Sequence, residues 1–200
     1  MVAIIDYDIG NLRSVQKAVL RLGCECIITR DPGELEKSDK LIIPGVGNFE
    51  KGMNNLSRLN LIENLSDLVI AGKKKILGIC LGMQLMTEFS EEGNCEGIGW
   101  IGGRTKLFRI DTLKVPHIGW NTLTLHDGRL PHLEITPEDE FYFVHSYYAE
   151  CTDKNDILFE TEYGTWFTSG FLRDNIMGVQ FHPEKSHKSG LKILKSFLDW

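Results

Sequence analysis

Residues 75–84 read Lys-Ile-Leu-Gly-Ile-Cys-Leu-Gly-Met-Gln, and the architecture of the chain follows from this segment. An apolar run of strand length enters a Gly-x-Cys-x-Gly turn and continues into a helical stretch that we extend to Phe89. A side chain with reactive chemistry on a tight strand-to-helix turn is typical of a nucleophile elbow. Because the backbone is strained there, its neighbours must lack side chains, which explains Gly78 and Gly82.

The chain before this turn alternates strands with helices. We predict strands at residues 2–6, 24–29, 40–43 and 75–79. We predict a helix at 11–22, a short helix that starts at residue 31, and a third helix that contains Ile62, Leu65, Leu68 and Val69. Such alternation indicates parallel β-α-β units with helices on both faces of one sheet.

The second half has short links between strands, which we predict at residues 104–108, 121–125, 141–149, 165–172 and 176–181, before a final helix at 186–200. The expected fold class is therefore α/β, with an open, twisted, mostly parallel sheet flanked by helices. Antiparallel strands are expected as additions in the C-terminal half.

Composition limits the classes of protein. The chain has 200 residues, 42% of them hydrophobic and 25% charged, which favours one globular domain over residues 1–200. A net charge of -6 disfavours a nucleic-acid partner. The N-terminal residues do not read as a signal peptide, and no apolar run reaches the length of a membrane span. Five cysteines without a C-x-x-C pair indicate reduced thiols, so we expect a cytoplasmic protein without metal or cofactor.

Cys80 is the candidate nucleophile. At the start of a helix, unpaired N–H groups and the helix dipole favour the thiolate form of a cysteine. A buried packing cysteine explains the same five-residue pattern equally well, because cysteine is among the most buried residue types. Another group is needed to decide between the two interpretations.

His182 and Glu184 are the candidate base and its orienting acid. In extended backbone, residues two apart face the same way, so both side chains can project together. A solvated loop pair is a competing interpretation. A metal site with His187 is a weaker one, since the histidines are five residues apart and Pro183 breaks any helix.

Two further segments fit acyl chemistry. The Pro-Gly-Val-Gly turn at residues 44–47 offers backbone N–H donors for an oxyanion, from Val46 and from Leu81, although alone it is most often a simple turn. The aromatic strand at 141–148 is more typical of a core, and His145 within it is interpreted equally well as structural or catalytic.

Five segments together resemble one known family: residues 44–47, 78–84, 115–121, 142–147 and 178–186. It is the class I, triad-type glutamine amidotransferases, whose fold is flavodoxin-like. The segments stand in the family's order and span nearly the whole chain. The Pro-His-Ile-Gly-Trp-Asn segment at 116–121 and the opening at 10–15 are similar to the glutaminase subunits of imidazole glycerol phosphate synthases.

The resemblance implies a role for each matching position. Cys80 is expected to be the nucleophile, His182 the acid and base, and Glu184 its orienting partner, with Val46 and Leu81 as oxyanion donors. The glutamine-binding positions are Gly47, Gln84, Glu92, Ser146 and Tyr147. The partner-interface positions are Asn11, Trp120, Asn121 and Lys185.

The resemblance also implies the reaction. L-Glutamine is expected to give glutamate and ammonia through a Cys80 thioester, and a (β/α)₈ barrel cyclase subunit in a heterodimer is expected to receive the ammonia for histidine biosynthesis. Residues 100–103 and 185–188 are similar to paralogues that feed ammonia to surface-sugar amidation, so the acceptor stays open. Two competing functions also stay open, namely an inactive scaffold that binds the partner and a cysteine hydrolase of small amides or peptides.

Overall fold

The computed structural model describes residues 1–126, 130 and 132–200. Within them the strands are β1 (Val2–Ile5), β2 (Cys26–Thr29), β3 (Lys40–Gly45), β4 (Lys75–Cys80), β5 (Thr87–Ser90), β6 (Cys95–Glu96), β7 (Ile101–Leu107), β8 (His117–Thr122), β9 (Thr124–Leu125), β10 (Glu140–His145), β11 (Tyr147–Cys151), β12 (Ile157–Glu162), β13 (Trp166–Arg173) and β14 (Ile176–Val179). The helices are α1 (Leu12–Arg21), α2 (Pro32–Lys37), α3 (Phe49–Arg58), α4 (Leu61–Ser66), α5 (Leu81–Gln84) and α6 (His187–Asp199), with a π-helical turn at Asp67–Ala71 and 3₁₀ turns at Lys154–Asp156 and Pro183–Lys185. None of the helices in these described ranges is long and apolar enough to cross a membrane.

One large sheet organises the described residues, with the strand order β2-β1-β3-β4-β14-β13-β11-β7-β5-β6, and with β12 paired to β13 and β9 paired to β12. The strands from β2 to β14 pair in parallel. From β14 onward the pairings are antiparallel, apart from β5 with β7. β10 and β8 form a separate antiparallel pair. The predicted α/β fold with antiparallel additions in the second half is confirmed.

The two faces of the parallel half are both buried. Val2 and Ile4 of β1 enter one apolar cluster, with residues of α1 and α6, whereas Ala3 and Ile5 enter a second cluster, with residues of α2, α3 and α4. A strand that is covered on both faces needs apolar residues at every position. This explains why β1 is a continuous apolar run rather than an alternating one.

The helix predicted from the elbow to Phe89 is wrong beyond its first turn. α5 ends at Gln84, and residues 87–90 form β5 instead. The carbonyl groups of Leu85 and Met86 accept hydrogen bonds from Ile98 and Ile101, so they no longer hold a helical ladder. The downstream segment that makes these bonds is not visible in local sequence periodicity.

The single strand predicted at 141–149 is also wrong, because it breaks at Ser146. His145 pairs with His117 in the small sheet, whereas Tyr147 pairs with Leu107 in the large one. Buried positions keep the same alternation on both sides of the break, so the pattern alone gives no sign of it. The strand predicted at 121–125 is likewise divided between β8 and β9, and β12 was not predicted.

Candidate active site

Cys80 ends β4 and begins the turn into α5. Its φ of 53° and ψ of -110° are outside the regions that side-chain-bearing residues adopt easily. Gly82 is required at this turn, because a Cβ atom there would lie 1.9 Å from the carbonyl oxygen of Ile43. The local sequence therefore produces a strained elbow that presents a sulfur atom, and only 6% of the Cys80 surface is exposed.

His182 and Glu184 lie just beyond β14. His182 Nδ1 donates to Glu184 Oε1 at 2.9 Å, and both side chains are 1% exposed. The predicted contact is present, but the predicted reason is wrong, because residues 183–185 form a 3₁₀ turn rather than extended backbone. His187, which the metal interpretation needs, instead stacks its ring on the indole of Trp120 at 5.2 Å between centroids.

Opposing effects set the protonation of His182. Burial lowers the pKa of this imidazole, but negative charge on Cys80 and the bond to Glu184 outweigh burial and raise the pKa above its ordinary value of 6.5. Nε2 is buried and has no hydrogen-bond partner of ordinary geometry among the described residues. A protonated imidazole with its Nε2–H still available beside the nucleophile can donate a proton to a leaving amine.

The turn at residues 44–47 lies beside the elbow, since Gly45 pairs with Cys80 in the register of β3 and β4. Val46 is 39% exposed, and Gly47 has a φ of 113° that only glycine adopts freely. Leu81 is the first residue of α5, so its N–H has no partner within the helix. Val46 follows the residue that pairs with Cys80, and Leu81 follows Cys80 itself, so their N–H groups are candidate donors to an oxyanion.

Tyr7 supports this turn from within the core. Its fully buried hydroxyl donates to the carbonyl oxygen of Pro44 at 2.7 Å. Burial, and then charge on Cys80, raises the pKa of Tyr7, so the hydroxyl stays a donor. Sequence reasoning missed this residue, because an aromatic residue after an apolar strand indicates only a core position.

A cavity of about 310 Å³ opens above the nucleophile, within the size range of small-molecule sites. It brings eight of the predicted residues together: Val46, Gly47, Cys80, Leu81, Gln84, Glu92, Ser146 and Tyr147. The other lining residues are Pro116, Val144 and His145. His182 and Glu184 are not among the lining residues, but the His182 imidazole interacts with Cys80, which lines the cavity.

Glu92 places a carboxylate in the cavity wall. One of its oxygens, Oε2, accepts a hydrogen bond from the N–H of Phe49 at 2.8 Å, at the start of α3. Helix α3 therefore fixes the position of this acid. A carboxylate in an otherwise mainly apolar cavity is suited to an ammonium group.

Two glutamine side chains connect the cavity wall to the nucleophile. Gln84 Nε2 donates to the carbonyl oxygen of Tyr147 and to Gln180 Oε1, both at 2.9 Å. Both hydrogens of that amide are used, which leaves its oxygen for the cavity. Gln180 Nε2 donates to Cys80 Sγ at 3.7 Å. Gln180 was not predicted as a site residue, because a glutamine at a strand end carries no distinctive signal.

Two of the predicted interface positions lie together. Trp120 is 44% exposed and packs against the ring of Tyr142, and Lys185 Nζ lies 5.6 Å from the centroid of that ring. Asn11 precedes α1, which packs against the 3₁₀ turn that contains Lys185. Asn121 is different: it lies on the opposite face of β8 from Trp120, and its amide donates to a backbone carbonyl of β12 at 2.9 Å.

An α/β fold with a cysteine on a strained strand-to-helix turn is typical of cysteine-dependent hydrolases. Residues 3–200 match the family described as glutamine amidotransferase class-I. The chain therefore belongs to the class-I glutamine amidotransferases, and the resemblance predicted from the sequence is confirmed.

Two relatives within the family are similar to this chain over nearly its whole length. The chain is 47% identical over 199 residues to imidazole glycerol phosphate synthase subunit HisH 2 of Methanococcus maripaludis, covering 99% of this chain and 98% of the relative. It is 48% identical over 203 residues to the subunit HisH of Sulfurimonas denitrificans, covering 98% and 97%.

Solved structures share the fold at low identity. A crystal structure of a glutamine amidotransferase matches with a TM-score of 0.78 at 16% identity, covering 100% of this chain and 98% of that one. The glutaminase domain of Trypanosoma brucei CTPS, solved with acivicin bound, matches with a TM-score of 0.63 at 14% identity, covering 99% and 93%.

Proposed function

We propose that this chain is the glutaminase subunit of an imidazole glycerol phosphate synthase and that residues 1–200 act as one glutamine amidotransferase domain. It hydrolyses the side-chain amide of L-glutamine and supplies ammonia for histidine biosynthesis. The observation that carries the proposal is the cavity in which Cys80 faces Gln84 and Glu92. The near-full-length identity to two HisH subunits supports the choice within the family.

In the first half-reaction the Cys80 thiolate attacks the side-chain carbonyl carbon of glutamine, and a carbon–sulfur bond forms. The N–H groups of Val46 and Leu81 bind the resulting oxyanion. When the intermediate collapses, the carbon–nitrogen bond breaks and His182 gives its proton to the departing nitrogen. Ammonia leaves, and a γ-glutamyl thioester remains on Cys80.

In the second half-reaction water attacks the thioester, and His182 takes a proton from that water. The carbon–sulfur bond breaks, which releases glutamate and restores the thiolate. Glu184 holds Nδ1 of His182, so that Nε2 faces the reacting atoms in both steps.

The two ends of glutamine are recognised separately. Glu92 and the side-chain oxygen of Gln84 bind the α-ammonium group, because both are acceptors that face the cavity. Backbone groups of Gly47, Ser146 and Tyr147 surround the α-carboxylate. The negative charge of Glu92 attracts the α-ammonium group, which favours an amino acid over a simple amide. The same charge repels a carboxylate at that end of the cavity.

The partner is a (β/α)₈ barrel cyclase subunit that forms a heterodimer with this chain and receives the ammonia. The exposed ring of Trp120, with Lys185 beside Tyr142, supports a docking surface on that side. Asn11, just before α1, extends this surface. Asn121 contributes to it from the opposite face of β8. All five cysteines are free thiols, which supports a cytoplasmic location.

The test is glutamate and ammonia release from glutamine, measured with and without the barrel subunit and its substrate. Cys80→Ser should abolish release and Cys24→Ser, at a thiol outside the cavity, should leave it unchanged. Activity of Cys80→Ser equal to that of the unmodified chain would refute the proposal. Stimulation by a sugar-amidating synthase, and not by the histidine-pathway barrel, would assign the ammonia to that other acceptor.

A further inference from the structure

We propose that a buried hydrogen-bond chain positions the nucleophile, with Gln180 as the residue that contacts its sulfur atom. The members of this amide–imidazole chain, in order, are Asn121, His117, His145, Tyr147, Gln84, Gln180 and Cys80. The inference rests on the proposed function, since it assigns positioning roles for the same thiol. It goes beyond that function because it explains two buried histidines and one glutamine that the triad does not use.

In the imidazole half of the hydrogen-bond chain, each hydrogen bond can be donated in only one direction. The carbonyl oxygen of Tyr147 only accepts, so His145 Nδ1, at 2.8 Å, must carry the hydrogen. His145 Nε2 is then an acceptor, and His117 Nδ1, at 3.1 Å, must donate to it. His117 Nε2 is left as an acceptor and faces the amide nitrogen of Asn121 at 3.5 Å. Each ring is therefore restricted to a single tautomer.

This direction requires that both rings stay neutral. Burial lowers the pKa of His117 to about 4. Burial also lowers the pKa of His145 to about 3, although its bond to Tyr147 opposes the shift. At neutral pH each ring therefore has one N–H and one free lone pair, as the directed chain demands.

The amide half of the chain starts from the same carbonyl group. Tyr147 oxygen accepts from His145 on one side and from Gln84 on the other, so both of its lone pairs are used. Gln84 uses its second hydrogen on Gln180 Oε1. That bond fixes which end of the Gln180 amide is oxygen, and the nitrogen must then face Cys80.

The result for catalysis is a fixed N–H donor on the sulfur atom. A donor to a thiolate stabilises the charged form, because the hydrogen bond is stronger to an anion than to a neutral thiol. If the Gln180 amide turned over, its oxygen would face the sulfur and disfavour the charge. Gln180 and Gln84 are both less than 5% exposed, so water does not replace these contacts easily.

The first experiment replaces Gln180 and follows alkylation of Cys80 by iodoacetamide, with peptide mass spectrometry to separate the five thiols. Gln180→Glu keeps an oxygen for the Gln84 amide but places an acceptor on the sulfur, and Gln180→Met removes both contacts. Alkylation at pH 7 is expected to slow about tenfold or more in both variants, and its pH profile is expected to move to higher pH. Gln16→Glu, on α1, is the matched control and should alkylate normally.

The second experiment tests the two ring nitrogens of His145, Nδ1 and Nε2, separately. His145→Asn keeps a donor where Nδ1 lies, so it retains the bond to Tyr147. His145→Gln keeps a group where Nε2 lies, so it retains the contact with His117 but leaves Tyr147 without its donor. The glutamine KM is expected to rise about 2- to 30-fold in His145→Gln and to change less in His145→Asn. His126→Asn and His126→Gln, at an exposed histidine, are the matched controls.

Thermal unfolding of every variant separates loss of fold from loss of position. The proposal is supported if folded Gln180 variants alkylate slowly and the two His145 variants differ in the stated order. It is overturned if folded Gln180→Glu alkylates at the normal rate, or if the two His145 variants behave alike. Because alkylation needs no glutamine, a protein that hydrolyses none would contradict the proposed function, while the alkylation rates would still test the contact between Gln180 and Cys80.

Discussion

Replacing Glu184 by glutamine tests how His182 is held. The carboxylate accepts the Nδ1 hydrogen at 2.9 Å in a site where both side chains are 1% exposed, so water cannot substitute for the lost charge. A hydrogen bond to a charged group contributes about 1.5 to 3 kcal/mol. If that energy is lost when the imidazolium forms, kcat should fall about 10- to 150-fold, at 1.36 kcal/mol per tenfold change.

Folding should be affected far less than activity. Glu184 Oε2 is buried without a hydrogen-bond partner among the described residues, so the amide group that replaces it breaks no hydrogen bond while a buried negative charge is removed. The assay is glutamate release under saturating glutamine, with the free energy of unfolding measured on the same samples. Glu150→Gln, at a half-exposed carboxylate paired with Lys106, is the control. A Glu184→Gln enzyme with kcat within about threefold of normal would show that the carboxylate does not stabilise the imidazolium.

Gly82→Ala should lower the free energy of unfolding, measured by chemical denaturation, by about 3 kcal/mol or more, because its Cβ would lie 1.9 Å from a backbone carbonyl oxygen. Gly102→Ala is the control and should be nearly neutral, because its Cβ would meet only a side chain, at 3.9 Å. Glu92→Gln should raise the glutamine KM about tenfold or more with a smaller effect on kcat, and unchanged KM in steady-state assays would contradict the ammonium role. His117 and His145 have pKa values lowered to about 4 and about 3 in the fold and an ordinary value of 6.5 when unfolded. The unfolded chain therefore binds protons first as pH falls, and below pH 6.5 unfolding should become easier by about 1 kcal/mol per pH unit for each histidine. His145→Asn should show a shallower decline, and an equal decline would refute this assignment.

Much of the fold follows from local pattern. The apolar run of β1, the amphipathic α1 and the glycines around Cys80 all have local physical causes, so the sequence predicts them. The break at Ser146 and the change from α5 to β5 do not, because both depend on segments distant in the chain. Hydrogen bonds from the N–H groups of Ile98 and Ile101 end the helix. The periodicity of the residues before Gln84 does not predict these bonds.

The candidate site shows the same division. Sequence motifs predict Cys80, His182 and Glu184, since each lies within two residues of a glycine or proline that marks a turn. Gln180 and His117 could not be predicted in this way. Their significance comes from which atoms they face across the sheets, and that depends on tertiary packing rather than on spacing.

The most direct test of the central claim is to trap the intermediate on the nucleophile. The complex with the barrel subunit is mixed with glutamine, quenched in acid within one turnover and digested for mass spectrometry. The peptide that contains Cys80 should carry one γ-glutamyl group, and the adduct should be absent in Cys80→Ser. Glutamate formation without any adduct on Cys80, or with the adduct on another thiol, would contradict the assignment of Cys80 as the attacking group.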